Sequence, residues 1–134
     1  MGVAGVGFDL VSVTEFEEQL GRPGTTMLTS FTPGERRDAN TRSFRPGRHF
    51  AARWAAKEAL IKAWSASMFG RPPVLPEGIH RDIEVISDAW GGRPGIRLYG
   101  AVAEHLADMS IHVSLTHDGD MAGAFVVLEN TPDE

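Results

Sequence analysis

The sequence predicts an α+β domain, and three observations carry that prediction. Short apolar stretches at strand period are bounded by glycine and proline clusters. One uninterrupted stretch, RHFAARWAAKEALIKAWSAS (residues 48–67), consists of strong helix formers. The expected order, β-α-α-α-β-β-α-β-β, groups strands as hairpins rather than as βαβ units. It gives one compact domain over residues 1–134, a mainly antiparallel sheet packed on one long helix and shorter helices.

Residues 3–11 read as a buried strand, short and apolar, in which Gly2, Gly5 and Gly7 permit close backbone approach. Ser12 with Glu15 has the pattern of a capping box opening a short helix through Leu20, which residues 21–24 (GRPG) break. Thr32-Pro33-Gly34-Glu35 supplies a capping residue, a proline at the first helical position and a glutamate three after the cap. A short helix through Asp38 follows, then a polar loop to Gly47. The long helix is expected from Arg48 to Met68, and residues 70–78 (GRPPVLPEG) form a loop that no helix or central strand absorbs. Residues 82–87 and 95–99 alternate as strands about the turn Gly91-Gly92-Arg93-Pro94. Residues 101–108 form a short amphipathic helix. Residues 110–115 and 121–128 pair around the turn 116–120, and residues 130–134 form a frayed tail.

The long helix poses a problem of charge. At about 100° per residue, Ala52, Ala55, Ala56, Ala59 and Ala63 gather on one side, with Phe50, Trp54, Ile61 and Trp64 roughly opposite. A helix apolar nearly all round is normally buried. Yet Arg53, Lys57, Glu58 and Lys62 sit in it, and Glu58 falls beside Trp54 and Lys62.

Composition narrows the function. The net charge of −5 argues against a nucleic-acid partner. The absence of cysteine removes disulfides and thiolate metal sites. No apolar run approaches the roughly 20 residues that span a membrane, and Asp9 interrupts the apolar start before it resembles a secretory signal. The expected location is the cytoplasm.

Asp9 is either a turn or capping aspartate or a ligand for a hard cation, and one carboxylate does not decide between them. Glu58 is the natural second carboxylate. Its plain reading is an ion pair with Lys62 one turn on, but such a pair contributes only a few tenths of a kcal/mol when exposed, and burial adds a desolvation cost. The alternative is a phosphate-bearing ligand, neutralised by Arg53, Lys57 and Lys62 while Glu58 holds a bridging metal. His117, expected in a turn, is either an ordinary surface histidine or a phosphate or ribose contact. His49, His80, His105 and His112 suggest no partner. No nucleophile elbow, Walker loop or zinc-protease helix is present.

Three segments in order, GVGFDLV (5–11), RWAAKEALIKAW (53–64) and VSLTH (113–117), resemble the holo-[acyl-carrier-protein] synthases, the small single-domain type of phosphopantetheinyl transferase. FTPGER and the GGRP turn add to the likeness, which spans nearly the whole chain. The resemblance implies that Asp9 and Glu58 bind magnesium, which holds the pyrophosphate of coenzyme A, and that Lys62 lies by the reacting phosphate. It implies a homotrimer with coenzyme A at the subunit interfaces. Arg53, Lys57, Arg93, Pro94, Thr116 and His117 become candidates for the nucleotide end.

The implied reaction moves 4′-phosphopantetheine from coenzyme A to a serine of apo-acyl carrier protein, either free or as a carrier domain of a fatty-acid or polyketide synthase. Adenosine 3′,5′-bisphosphate is released. One feature departs from the pattern: several family members carry a basic residue on the first helix to contact the carrier, whereas here the region reads Thr14-Glu15-Phe16-Glu17-Glu18. Arg22 or the arginines of residues 36–48 are the alternative docking groups. The competing readings are a non-catalytic module that binds coenzyme A or a carrier protein, and a magnesium-dependent phosphohydrolase.

Overall fold

In the computed structural model, which describes residues 2–76, 78–90 and 92–131, the chain runs through nine elements: β1 (Gly2–Ser12), α1 (Val13–Leu20), α2 (Pro33–Arg42), α3 (Pro46–Ser67), β2 (Ile83–Ser87), β3 (Pro94–Leu98), α4 (Gly100–His105), β4 (Met109–Asp118) and β5 (Met121–Asn130). Short 3-10 turns intervene at Met27–Ser30 and Ile79–Asp82. The element order is the expected one. Every strand pair is antiparallel, but the strands form two sheets, β1-β5-β4 and β2-β3. Gly91 of the expected β2–β3 turn and residues 132–134 of the expected frayed tail lie outside the described residues. Asn130 closes β5 in register with Met109 and Gly2.

Helix α3 rests on β1 and β5, and glycine makes the approach possible. A Cβ on Gly5 would overlap the carbonyl oxygen of Ala63, and one on Gly7 the carbonyl oxygen of Ala59. Ala55, Ala56, Ala59 and Ala63 are fully buried along the same helix, with Leu60, Val126 and Leu128. Period-2 alternation puts Asp9 on the helix-facing side with Gly5 and Gly7, while Val6, Phe8 and Leu10 point outward. A second apolar cluster gathers Val13, Phe16, Phe31 and Phe50 at the N-terminal end of α3.

Two boundaries moved for local reasons. Helix α2 continues past Asp38 to Arg42, since no glycine or proline lies between them to break it, and Glu35 and Ala39 are its buried residues among those described. Strand β4 continues through Asp118, because the hairpin turns on Gly119 at φ 57° and every residue to Asp118 keeps a partner on β5. Thr116 and His117 are therefore strand residues, not turn residues. The capping box at Thr32 and Glu35 is complete, whereas Ser12 accepts from the Glu15 amide only. The start of α1 is held instead by Asp120, whose carboxylate accepts from Thr14 and Ser12.

Replacing Gly7 by alanine forces strand and helix apart where neither backbone can yield. We expect Gly7→Ala to cost about 2–3 kcal/mol, the upper part of the usual range for overpacking, read as a lower denaturant midpoint with an unchanged slope. An unaltered midpoint would show that the contact is not constrained.

Candidate active site

Asp9 leaves the helix-facing side of β1 at the level where Glu58 and Lys62 leave α3. Asp9 and Glu58 line one cleft of about 270 Å³, together with Ser12, Glu15, Gln19 and Trp54. Lys62 donates to the Asp9 carboxylate at 2.9 Å and to the Phe8 carbonyl at 3.0 Å, bridging helix and strand. It does not form the helical pair with Glu58. The Glu58 carboxylate instead accepts from Nε2 of His80, at 3.4 Å, and the His80 ring stacks on Trp54 with centroids 4.4 Å apart and planes 6° from parallel.

These contacts set the charge of Glu58. The hydrogen bond from His80 holds its pKa below the usual glutamate value, outweighing the opposing effect of partial burial, and the nearby Lys62 ammonium acts in the same direction. Glu58 is thus an anion at neutral pH and binds a proton weakly. Two carboxylates in one polar cleft are hard oxygen donors suited to a small divalent cation that completes its shell with phosphate and water. Among the described residues no cluster of three or more such groups exists, so the donor set matches an ion shared with a substrate rather than one caged by protein.

Lys57 is corrected by the structure. Expected at the nucleotide, it is fully buried, and its ammonium donates to Glu35 at 2.8 Å and to the carbonyls of His80 and Ile83 at 2.7 and 2.5 Å. All three of its hydrogens are used inside the protein, leaving none for a ligand. Glu35 in turn accepts from the Val85 and Thr32 amides. This network ties α2, α3 and β2 together, and burial pulls the Lys57 pKa down despite its carboxylate partner.

The other predicted residues fall into separate places. Arg53 and His117 line a second cavity of about 290 Å³ with Ser43, Arg48 and His49. Arg53 also reaches the Ser87 hydroxyl at 3.4 Å, which ties this cavity to the β2–β3 hairpin. Arg93 pairs with Asp88 within that hairpin, at 2.5 Å, and Pro94 opens β3 opposite Ser87. Thr116 stands beside Leu10 around Gly123 on the outer face of the sheet and does not join His117. Five positions along a helix turn a side chain by about 140°, so Arg53 and Glu58 look out from different sides of α3. His80 was missed. Its only signal is its position in a proline-flanked loop far from Glu58 in sequence.

Loss of solvent, and then repulsion from Arg48 and Arg53, hold His117 below the ordinary histidine value. A depressed folded pKa means that the unfolded chain binds the proton first. Stability therefore rises with pH through the window just below 6.5 and this contribution is lost as pH falls through it. We expect the His117 imidazole to titrate below 6.5 by NMR, and Arg48→Gln to raise that value by removing a repulsive charge. An unchanged or lowered value in Arg48→Gln would show that the arginine does not act on the ring.

The chain is similar to known proteins over almost its entire length. A family model described as the 4′-phosphopantetheinyl transferase superfamily matches residues 5–123. The holo-[acyl-carrier-protein] synthase of Mycobacterium bovis is 64% identical over 129 residues, which is 96% of this chain and 98% of that protein. That of Mycobacterium ulcerans is 62% identical over 131 residues, 98% and 100% of the two chains. Among solved structures, the acyl carrier protein synthase of Mycobacterium tuberculosis superposes with a TM-score of 0.80 at 56% identity, covering 96% of this chain and 99% of that one. The synthase–coenzyme A complex of Chronobacterium ammoniagenes gives 0.86 at 44%, covering 96% and 98%.

Proposed function

The chain belongs to the holo-[acyl-carrier-protein] synthases of the 4′-phosphopantetheinyl transferase superfamily, and from that premise we propose that it transfers 4′-phosphopantetheine from coenzyme A to a serine of apo-acyl carrier protein. The observation that carries this reading is the convergence of Asp9, Glu58 and Lys62, from two elements packed backbone to backbone, around one polar cleft. The serine oxygen bonds to the β-phosphorus as the bond to adenosine 3′,5′-bisphosphate breaks, and the hydroxyl proton passes to Glu58 or to solvent water. Most of the protein's task is alignment and charge neutralisation.

Asp9 and Glu58 would hold a magnesium ion, which when bound neutralises the pyrophosphate oxygens. Lys62, half-exposed beside Asp9, adds an ammonium charge where negative charge develops on the leaving phosphate. Arg53 and His117, with Arg48 beside them, suit the phosphate groups at the nucleotide end. Carrier docking falls to exposed arginines such as Arg36 and Arg37 on α2 rather than to α1, where Glu15 lines the cleft and Arg45 is committed to Glu17.

A homotrimer accounts for two further features. The outward side chains of β1 and β5, Val6, Phe8, Leu10 and Phe125, leave an apolar sheet face about half exposed, and a closed symmetric assembly would cover it. The two polar cavities on different sides of α3 would then belong to one ligand through neighbouring copies. Light scattering should give three times the 14.5 kDa chain mass, and Phe8→Glu should yield an inactive monomer. A fully active monomer would remove the shared-site reading.

The transfer itself is tested by intact-mass measurement of an apo-carrier incubated with coenzyme A, magnesium and the protein. The carrier should gain the phosphopantetheine arm. Glu58→Gln should slow this by about 100-fold or more, on the scale of losing one electrostatic contact to a transition state. Lys62→Ala should lower the rate constant far more than it weakens coenzyme A binding. A carrier of unchanged mass would leave only a binding module, and phosphate release without a carrier would point to a hydrolase.

A further inference from the structure

We propose that His80 is a positioning residue for the metal-binding carboxylate, holding one oxygen of Glu58 so that the other is presented to the magnesium ion. This rests on the reading of Asp9 and Glu58 as the metal pair. Among the described residues, the hydrogen bond from His80 is the one made to the Glu58 carboxylate. Lys62, the helical neighbour that could compete, is spent on Asp9 and the Phe8 carbonyl. An ionised carboxylate only accepts, so Nε2 of His80 carries the hydrogen.

The ring is held from two directions. It lies flat on Trp54, one turn before Glu58 on the same helix face, so ring plane and carboxylate are referred to one rigid element. Its backbone is fixed from the interior, where the His80 carbonyl accepts from Lys57 and Ile79 is buried in the core. The consecutive residues Lys57 and Glu58 thus grip the same 3-10 turn, the lysine by its backbone and the glutamate by its imidazole. His80 does not line the cleft of Asp9 and Glu58. It reaches Glu58 from a neighbouring pocket lined by Thr29, Ser30, Gly78 and Arg81, which suits an orienting group better than a ligand.

The turn has anchors other than the imidazole. Lys57 and Ile79 already secure the turn, and the side chain is a quarter exposed. What it supplies is direction, and partners of this kind typically alter metal affinity by about 10- to 100-fold when removed.

The test titrates magnesium by calorimetry into the protein saturated with coenzyme A, without carrier, so that no turnover occurs. His80→Phe keeps the stack on Trp54 and deletes the donor. It should weaken magnesium about 10-fold or more, while coenzyme A affinity measured without magnesium stays within about twofold. His80→Gln, with an amide donor of similar reach, should recover most of the loss. If phenylalanine is not tolerated, His80→Met carries the same comparison. Magnesium affinity in the donor-less variant within twofold of the native protein overturns this inference alone, as does a glutamine variant no better than phenylalanine. A native protein that binds no magnesium removes the metal assignment and this inference with it.

Discussion

The contact on which the rest depends is the bare backbone approach of β1 to α3. Gly5 and Gly7 meet the carbonyls of Ala63 and Ala59 with no side chain between. Close approach alone would be a packing detail. Its consequence is positional, because the next residue on that strand face is Asp9 and the neighbouring helix residues are Glu58 and Lys62. Ordinary side chains between strand and helix would hold the two backbones further apart and carry Asp9 away from the helix. Glycine brings the backbones together, and the lysine closes the remaining distance at 2.9 Å.

The charges of α3 divide between interior and cleft at adjacent residues. Lys57 turns inward, and its three hydrogen bonds join α2, the turn before β2 and β2 itself to the helix. A buried charge of this kind adds little net stability but costs several kcal/mol to break, because its partner Glu35 would be stranded. Glu58 turns toward solvent and keeps its charge with help from His80. Rigidity and chemistry thus come from neighbouring positions, and the buried pair fixes the turn that carries the imidazole.

A helix apolar around most of its circumference needs cover on every side. Within the chain, the three-stranded sheet covers one side, and the β2-β3 hairpin with α4 covers another. The sheet covers its own inner face only, and the outer apolar face of β1 and β5 remains open. That open face, and the separation of the Arg53 and Glu58 cavities, are the two features that the proposed trimer would explain.

The order of elements, the glycine approach and the alanine face were readable from the sequence, because each rests on local propensity or a fixed period, whereas the pairing of Asp9 with Glu58 at a metal came from the family resemblance alone. Helix rotation puts Glu58 and Lys62 on one side whatever the surroundings. Strand alternation likewise aligns Gly5, Gly7 and Asp9. Where partners come from distant segments, the period says nothing. It could not say that Lys57 would be claimed by Glu35 from 22 residues away, nor that Lys62 would leave Glu58 for Asp9. It could not assign His80, whose importance comes from a ring stack and a carboxylate on another element. The strand character of Thr116 and His117 depended on pairing with β5, which carried β4 three residues into the expected turn. The sequence by itself determined which side chains each helix and strand offers to either face. Only the tertiary structure decided which of them meet, since a hydrogen bond or ion pair between remote residues depends on ångström-scale distances that exist only once the backbones have packed.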